Sequence, residues 1–214
     1  MWVNRNNLSR RSFIQHASAA FVLPVVGFQL IGCGSGRLLA HSPDESDKAT
    51  PPSWNIRITD DQEPGEPLIV SGTIYSPDGR TPLEGITLYV YQTDATGRYS
   101  TSGGDNRNTR IHGQMKTNAQ GRYEFRTIRP ASYPGTKNPA HIHAFVSGPG
   151  YPEYWIDEYH FDDDPLVTNE MRQRTSNLTG TFSPIIKTTK GSDGILRASR
   201  DIKIERCTNN CTGR

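Results

Sequence analysis

Short runs of alternating apolar and polar residues recur along the chain from residue 68 onward. The apolar positions of these runs are, in chain order, Leu68, Val70 and Ile74; Ile86, Leu88 and Val90; Tyr123 and Phe125; Ile142, Ala144 and Val146; Ile185 and Ile186; and Ile202 and Ile204. Side chains of a β-strand alternate between two faces, so each run predicts a strand with one buried face. The chain shows no comparable helical period.

Glycine-bearing turns separate these runs. They read PDGR at residues 77–80, DATGR at 94–98, NAQGR at 118–122 and GSDG at 191–194. Short strands joined by such turns are typical of all-β sandwiches and barrels. We therefore predict a single all-β domain over residues 66–206, in which the acidic segment 160–180 runs over the surface.

The N-terminal residues have the pattern of an export signal. The pair Arg10–Arg11 precedes an apolar run at residues 19–31, which is too short and interrupted for a membrane-spanning helix. The sequence LIGC then ends at Cys33, as at a bacterial lipoprotein cleavage site. We predict a twin-arginine, lipoprotein-type signal over residues 1–32 and a lipid on Cys33. The expected location is the periplasm or cell envelope, anchored to a membrane.

Two polar segments flank the predicted domain. Residues 33–65, rich in Ser, Asp, Glu, Pro and Gly, predict a flexible tether, and residues 207–214 a C-terminal tail. The tail contains Cys207 and Cys211, for which an oxidising compartment favours a disulfide over free thiols. Without the signal, the chain has 21 basic and 22 acidic residues. This balance gives no electrostatic reason to expect nucleic-acid binding.

The motif PAHIH at residues 139–143 places two histidines on one predicted strand. His141 and His143 are two residues apart, so their side chains point to the same face. They could form a hydrogen-bonded surface pair or converge on a metal ion, and spacing alone does not choose between these. Tyr99, after the turn DATGR, and Tyr133, in the loop RPASYPG, are candidate further donors. Two phenolates, one hydroxide and two neutral imidazoles would balance the charge of Fe(III).

Three segments in this order resemble the intradiol ring-cleavage dioxygenases of the protocatechuate 3,4-dioxygenase and catechol 1,2-dioxygenase type. They are GITLYVYQTDATGRY at 85–99, GRYEFRTIRPASYPG at 121–135 and the motif PAHIH. The resemblance covers residues 66–206. It implies a β-sandwich holding one non-haem Fe(III), with Tyr99, Tyr133, His141 and His143 as the ligands.

The resemblance also implies an activity. Members of this family insert O2 between the two hydroxyl-bearing carbons of a catechol-type aromatic diol, giving a muconate-type diacid. The tyrosinate that matches Tyr133 leaves the metal when substrate binds and helps to accept its proton. Members often assemble from several subunits, so an oligomer is one expectation.

Two positions depart from the family pattern. Family members usually have an arginine immediately before PAHIH, where this chain has Asn138 after Lys137. Lys137 or Arg129 could replace that cation, although a lysine ammonium is not equivalent to a guanidinium. A family glutamine corresponds to Glu158, whose carboxylate would repel an anionic substrate unless it is protonated or turned away.

Two alternative functions follow from these observations. The turns also fit a non-catalytic transthyretin-like or regulatory β-module, which would not require the tyrosines and the histidine pair. Asn138 and Glu158 also fit a dioxygenase relic that holds iron but turns over slowly. Tyr154 and Trp155 are expected to fill core or edge space, and His112 and His160 to be hydrogen-bonded histidines without a ligand role.

Overall fold

Two β-sheets packed face to face form the folded body. The computed structural model describes residues 53–100 and 106–205. Within these residues the strands are, in chain order, β1 Asn55–Arg57, β2 Pro67–Tyr75, β3 Thr87–Gln92, β4 His112–Lys116, β5 Arg122–Ile128, β6 His141–Gly148, β7 Tyr151–Phe161, β8 Ile185–Ile186, β9 Thr189–Lys190, β10 Leu196–Ser199 and β11 Ile202–Lys203. The predicted all-β sandwich is confirmed.

The two sheets differ in their strand pairing. The first has the order β1–β5–β2–β10–β9, with β11 also paired to β2, and combines parallel with antiparallel neighbours. The second has the order β4–β3–β6–β7–β8 and is antiparallel except for its last pair. The alternating apolar positions of the sequence line the space between the sheets, including Leu68, Leu88, Phe125, Ile142 and Ala144, which are all fully buried. Strand β6 thus turns Ile142 and Ala144 inward and its intervening residues outward.

The predicted tether is wrong in its last part. Strand β1, residues Asn55–Arg57, lies within it and pairs in parallel with β5. Ile56 and Ile58 pack on the core, where they lie against the bare backbone of Gly113; a Cβ there would come 2.4 Å from Ile58 Cγ2. One isolated isoleucine pair among polar residues is too short a pattern to predict a strand.

The segment 160–180, predicted to run over the surface, contains some regular secondary structure. Strand β7 continues to Phe161, and a short helix, α1, spans Asn169–Arg174. The Thr168 hydroxyl caps this helix by accepting a hydrogen bond from the Met171 backbone N–H. Among the residues that the structure describes, no helix has the length and apolar character needed to cross a membrane. The predicted signal and Cys33, and the tail with Cys207 and Cys211, lie outside the described residues.

Candidate metal centre

The four predicted ligands come from three segments that meet at one end of β6. Tyr99 follows β3, Tyr133 lies in the loop between β5 and β6, and His141 and His143 open β6 on its outward side. Tyr133 Oη lies 2.6 Å from Tyr99 Oη. It also lies 3.1 Å from Nε2 of each histidine, and the two Nε2 atoms are themselves 3.1 Å apart. Four donor atoms thus converge on a common point.

A glycine allows the two tyrosine loops to approach each other. Gly97 has φ +78°, and a Cβ on it would lie 1.9 Å from the carbonyl oxygen of Ser132. Further hydrogen bonds join the loops: Ala131 N–H donates to the Asp94 carbonyl, and the Thr93 hydroxyl donates to the Ala131 carbonyl. The turn before Tyr99 is therefore fixed against the loop that carries Tyr133.

The tautomer of His141 follows from its neighbour. Its Nδ1 lies 2.7 Å from the carbonyl oxygen of Pro139, which can only accept a hydrogen bond. Nδ1 is therefore the protonated nitrogen, and the lone pair of Nε2 faces the other donors. Burial lowers the pKa of His141, which favours the neutral ring that a metal ligand requires.

The protein surroundings alone keep both tyrosines protonated. Burial, together with the hydrogen bond to Tyr133, raises the pKa of Tyr99, and burial raises the pKa of Tyr133. A highly charged cation reverses this balance, since it stabilises phenolate directly. Two phenol oxygens and two imidazole nitrogens are a donor set that fits a hard trivalent ion. No cluster of three or more His, Cys, Asp or Glu side chains suited to a metal occurs in the described part of the chain, and half of this set is tyrosine.

Aromatic rings cover one of the predicted ligands, His143. The ring of Tyr91 stacks on His143 with centroids 4.5 Å apart, and Trp155 meets the same imidazole edge-on at 4.9 Å. Burial raises the pKa of Tyr91 to about 12, so it stays a neutral phenol. The sequence analysis missed Tyr91 and placed Trp155 in core or edge space. The sequence shows only that Tyr91 has the opposite parity to Leu88 and Val90 and so faces outward. Its pairing with His143 of β6 comes from the structure.

The structure shows where Asn138 and the two cations that could replace the missing arginine lie. The Arg129 guanidinium donates two 2.8 Å hydrogen bonds to Asp163 and lies over the Phe161 ring. These contacts hold it away from the donor cluster. Lys137 and Asn138 are exposed. Within the described residues, neither of their side chains hydrogen-bonds a ligand.

Glu158 lies beside the Nδ1 side of His143, one of the predicted ligands. Its Oε1 lies 3.5 Å from His143 Nδ1, and its Oε2 lies 3.9 Å from His160 Nε2. Burial would raise the pKa of Glu158, but the histidine contact and charge lower it to about 2. Glu158 is therefore a carboxylate that is turned toward Nδ1 and away from the Nε2 side where the donors converge.

A separate groove of about 880 Å³ lies elsewhere on the molecule. Its lining includes Arg172, Lys187 and Arg197 and none of the four donor residues. This groove is therefore distinct from the donor cluster.

The family profile and the relatives that match this sequence are all dioxygenases. The sequence profile of the family described as Dioxygenase matches residues 40–186. Catechol 1,2-dioxygenase 1 of Acinetobacter lwoffii is 30% identical over 138 residues, which are 56% of this chain and 43% of that protein. The protocatechuate 3,4-dioxygenase beta chain of Burkholderia cepacia is 30% identical over 114 residues, 48% of each chain. The chain thus spans about half the length of these curated relatives.

A solved structure shares the fold over most of its length. The dioxygenase domain of a dioxygenase carbohydrate-binding protein fusion from Streptomyces sp. SirexAA-E superimposes with a TM-score of 0.55 at 25% identity. The match covers 76% of this chain and 96% of that domain. The sandwich that carries the donor cluster is therefore an architecture already seen in a dioxygenase domain.

Proposed function

The chain belongs to the intradiol ring-cleavage dioxygenase family, and we propose that it uses one Fe(III) to open a catechol-type aromatic ring. The products would be muconate-type diacids, because the bond between the two hydroxyl-bearing carbons breaks and both atoms of O2 enter the new carboxyl groups. This reaction places the protein among enzymes that break down aromatic compounds.

One observation carries the proposal: the convergence of Tyr99, Tyr133, His141 and His143. These are the four positions that match the family's ligands. A transthyretin-like module has no need for two phenols and two imidazoles at one point. The donor set therefore favours the enzyme over the non-catalytic alternative.

The bound metal would supply Lewis acidity, drawing electron density from the diol so that a ring carbon reacts with O2. The residues contribute separate functions. His141 is oriented by the Pro139 carbonyl, and Tyr91 and Trp155 shield the His143 ring from water. Tyr133 Oη, at the centre of the donor contacts, would accept the proton that the diol hydroxyl loses.

The direct test is O2 consumption by the iron-loaded protein with a panel of catechol-type diols. Tyrosinate bound to Fe(III) absorbs visible light, so the loaded protein should be reddish. We expect O2 uptake together with ring-opened diacids, identified by mass spectrometry. Colour without turnover would support the iron-holding relic instead, and a colourless protein that binds no iron would exclude both.

We also propose that the chain is exported and carries a lipid on Cys33. Arg10–Arg11 and the sequence LIGC support this proposal. Labelling of cells with a radioactive fatty acid should mark the wild-type protein and leave a Cys33→Ser variant unlabelled. Equal labelling of both would contradict it.

A further inference from the structure

Strand β7 contains a β-bulge opposite one of the ligands. The register between β6 and β7 shifts between Ile142 and Ala144. One residue of β6, His143, therefore faces two residues of β7, Asp157 and Glu158. Bulges of this kind change the direction of a side chain and often lie beside functional sites. Here the shift places the Glu158 carboxylate at the ring of a ligand.

A buried arginine fixes the bulge. Arg200 is 3% exposed, and its Nη1 donates a 2.7 Å hydrogen bond to the carbonyl oxygen of Asp157. Its guanidinium lies over the Tyr159 ring at 4.5 Å. The Arg200 backbone approaches β2 so closely that a Cβ on Gly72 would lie 1.8 Å from its carbonyl oxygen. The bulge is thus anchored from the opposite sheet.

The two histidine ligands have different partners at Nδ1. The Nδ1 of His141 lies against a neutral carbonyl, that of Pro139. The Nδ1 of His143 is buried and makes no hydrogen bond of normal geometry. Its Nε2 belongs to the donor cluster, so Nδ1 must carry the proton when Nε2 binds a metal. That buried N–H group then faces a carboxylate oxygen at 3.5 Å.

The Glu158 carboxylate is partly shielded from water and lies near two histidine rings. Its side chain is 31% exposed, so water screens its charge only in part. Its second oxygen lies on the side of His160 Nε2, at 3.9 Å. The carboxylate therefore sits between two imidazoles, one of them a ligand.

We propose that Glu158 is a positioning residue of the metal centre, which holds the His143 ring as its Nδ1–H tautomer and adds negative charge behind it. The inference rests on the proposed function, because it requires that the site hold Fe(III). A carboxylate that accepts the N–H of a ligating histidine makes the ring a stronger donor, and loss of such a partner typically weakens metal binding about 10- to 100-fold.

The test compares Glu158→Gln with wild type in the full iron-loaded protein. Glutamine has nearly the same shape and is the usual family residue here, so the variant should fold, which circular dichroism checks. We expect iron affinity, measured by chelator competition, to fall about 10- to 100-fold. The tyrosinate absorption should move to longer wavelength, because a less electron-rich Fe(III) accepts charge more readily.

Two further variants separate charge from packing. Glu170→Gln makes the same change at an exposed site on α1 and should leave both readouts unchanged. Glu158→Asp keeps the charge, so its absorption should stay nearer to wild type than that of Glu158→Gln. If wild type holds no iron, the proposed function and this inference both fail. If wild type is coloured and Glu158→Gln matches it in both readouts, this inference alone fails.

Discussion

The backbone of Gly97 lies directly against the carbonyl of Ser132. A Cβ at Gly97 would lie 1.9 Å from that oxygen. No other amino acid therefore fits at this position unless one of the two loops shifts. Because the loops carry Tyr99 and Tyr133, this contact sets the distance between the two phenols.

Gly97→Ala should therefore separate the tyrosines. We expect lower iron content per protein and loss of visible absorption, in addition to about 1–2 kcal/mol of backbone strain at positive φ. Gly194→Ala is the matched control, since Gly194 also has φ +78° and nothing within 4 Å of a Cβ. It should lose stability but keep iron. Equal iron loss in both variants would show that strain, and not the contact with Ser132, controls the site.

Removal of the Tyr133 hydroxyl should alter the colour of the loaded protein. Tyr133→Phe deletes the oxygen that contacts Tyr99, His141 and His143. We expect loss of one tyrosinate contribution to the visible spectrum and iron binding at least about 10-fold weaker. Tyr75→Phe, which removes a phenol on β2, should have the spectrum of wild type. An unchanged spectrum in Tyr133→Phe would refute its assignment as a ligand.

Iron affinity should rise with pH. The raised pKa values of Tyr99 and Tyr133 keep both phenols protonated near neutrality, whereas the metal binds the deprotonated forms. Binding should thus release roughly two protons per iron from the phenols, and a third if a bound water becomes hydroxide, so lower pH opposes it. Calorimetry of iron binding in buffers with different ionisation enthalpies measures the number released. A release of about one proton or fewer would mean that the two phenols are not both ligands.

In the iron-free protein, the raised pKa values of Tyr99 and Tyr133 make the folded state less stable as pH rises. A pKa raised in the folded state means that the unfolded chain loses its phenol protons first. The stabilising effect is complete below the ordinary tyrosine pKa of 10.0 and is lost as pH rises above it. Denaturant unfolding of the iron-free protein should therefore show a falling free energy of unfolding above about pH 10.

An arginine at position 138 should increase turnover. Asn138 stands where family members usually carry that cation, and Arg129 is held by Asp163. Asn138→Arg would supply a guanidinium at that sequence position. We expect catechol cleavage to become at least about 10-fold faster, since one electrostatic contact is typically worth more than that. Lys203→Arg, at an exposed lysine of β11, is the control and should leave the rate unchanged. No gain in rate would show that this position does not limit catalysis.

The anchor of the bulge can be removed separately. Arg200→Met would leave the Asp157 carbonyl without its donor, and we expect a loss of about 1–3 kcal/mol in the free energy of unfolding. The absorption of the loaded protein should shift as in Glu158→Gln, because Glu158 depends on the bulge for its direction. Arg197→Met, at an exposed ion pair with Asp193, should change neither quantity much.

The sequence predicted those features that depend on local period or on a specific motif. Alternation identified β2, β3, β5 and β6, since one buried face imposes a period of two over five or more residues. Strand β1 was missed because three residues are too few to show a period, and it is stabilised by pairing with β5 and by packing on Gly113.

The sequence predicted the four donor residues of the candidate site but not the residues that surround them. The four donors were recognised from their motifs, and the structure brings them together. The contacts of Tyr91, Trp155 and Glu158 with His143 could not be predicted, since they depend on the pairing of β6 with β3 and on the bulge in β7. Neither register nor bulge leaves a clear mark in a single sequence.

The segment at residues 53–58 has a consequence for how the protein tolerates shortening. The Ser53 carbonyl accepts a hydrogen bond from the Lys116 N–H on β4, the outer strand of one sheet. Ile58 N–H donates to the Arg126 carbonyl on β5, the strand that β1 covers in the other sheet. A version that begins at residue 66 would lose β1, which would leave the outer side of β5 unpaired, and would also remove the Ser53 partner of β4. An unpaired strand edge can pair with a strand of another molecule, so we expect residues 53–58 to protect the protein against self-association.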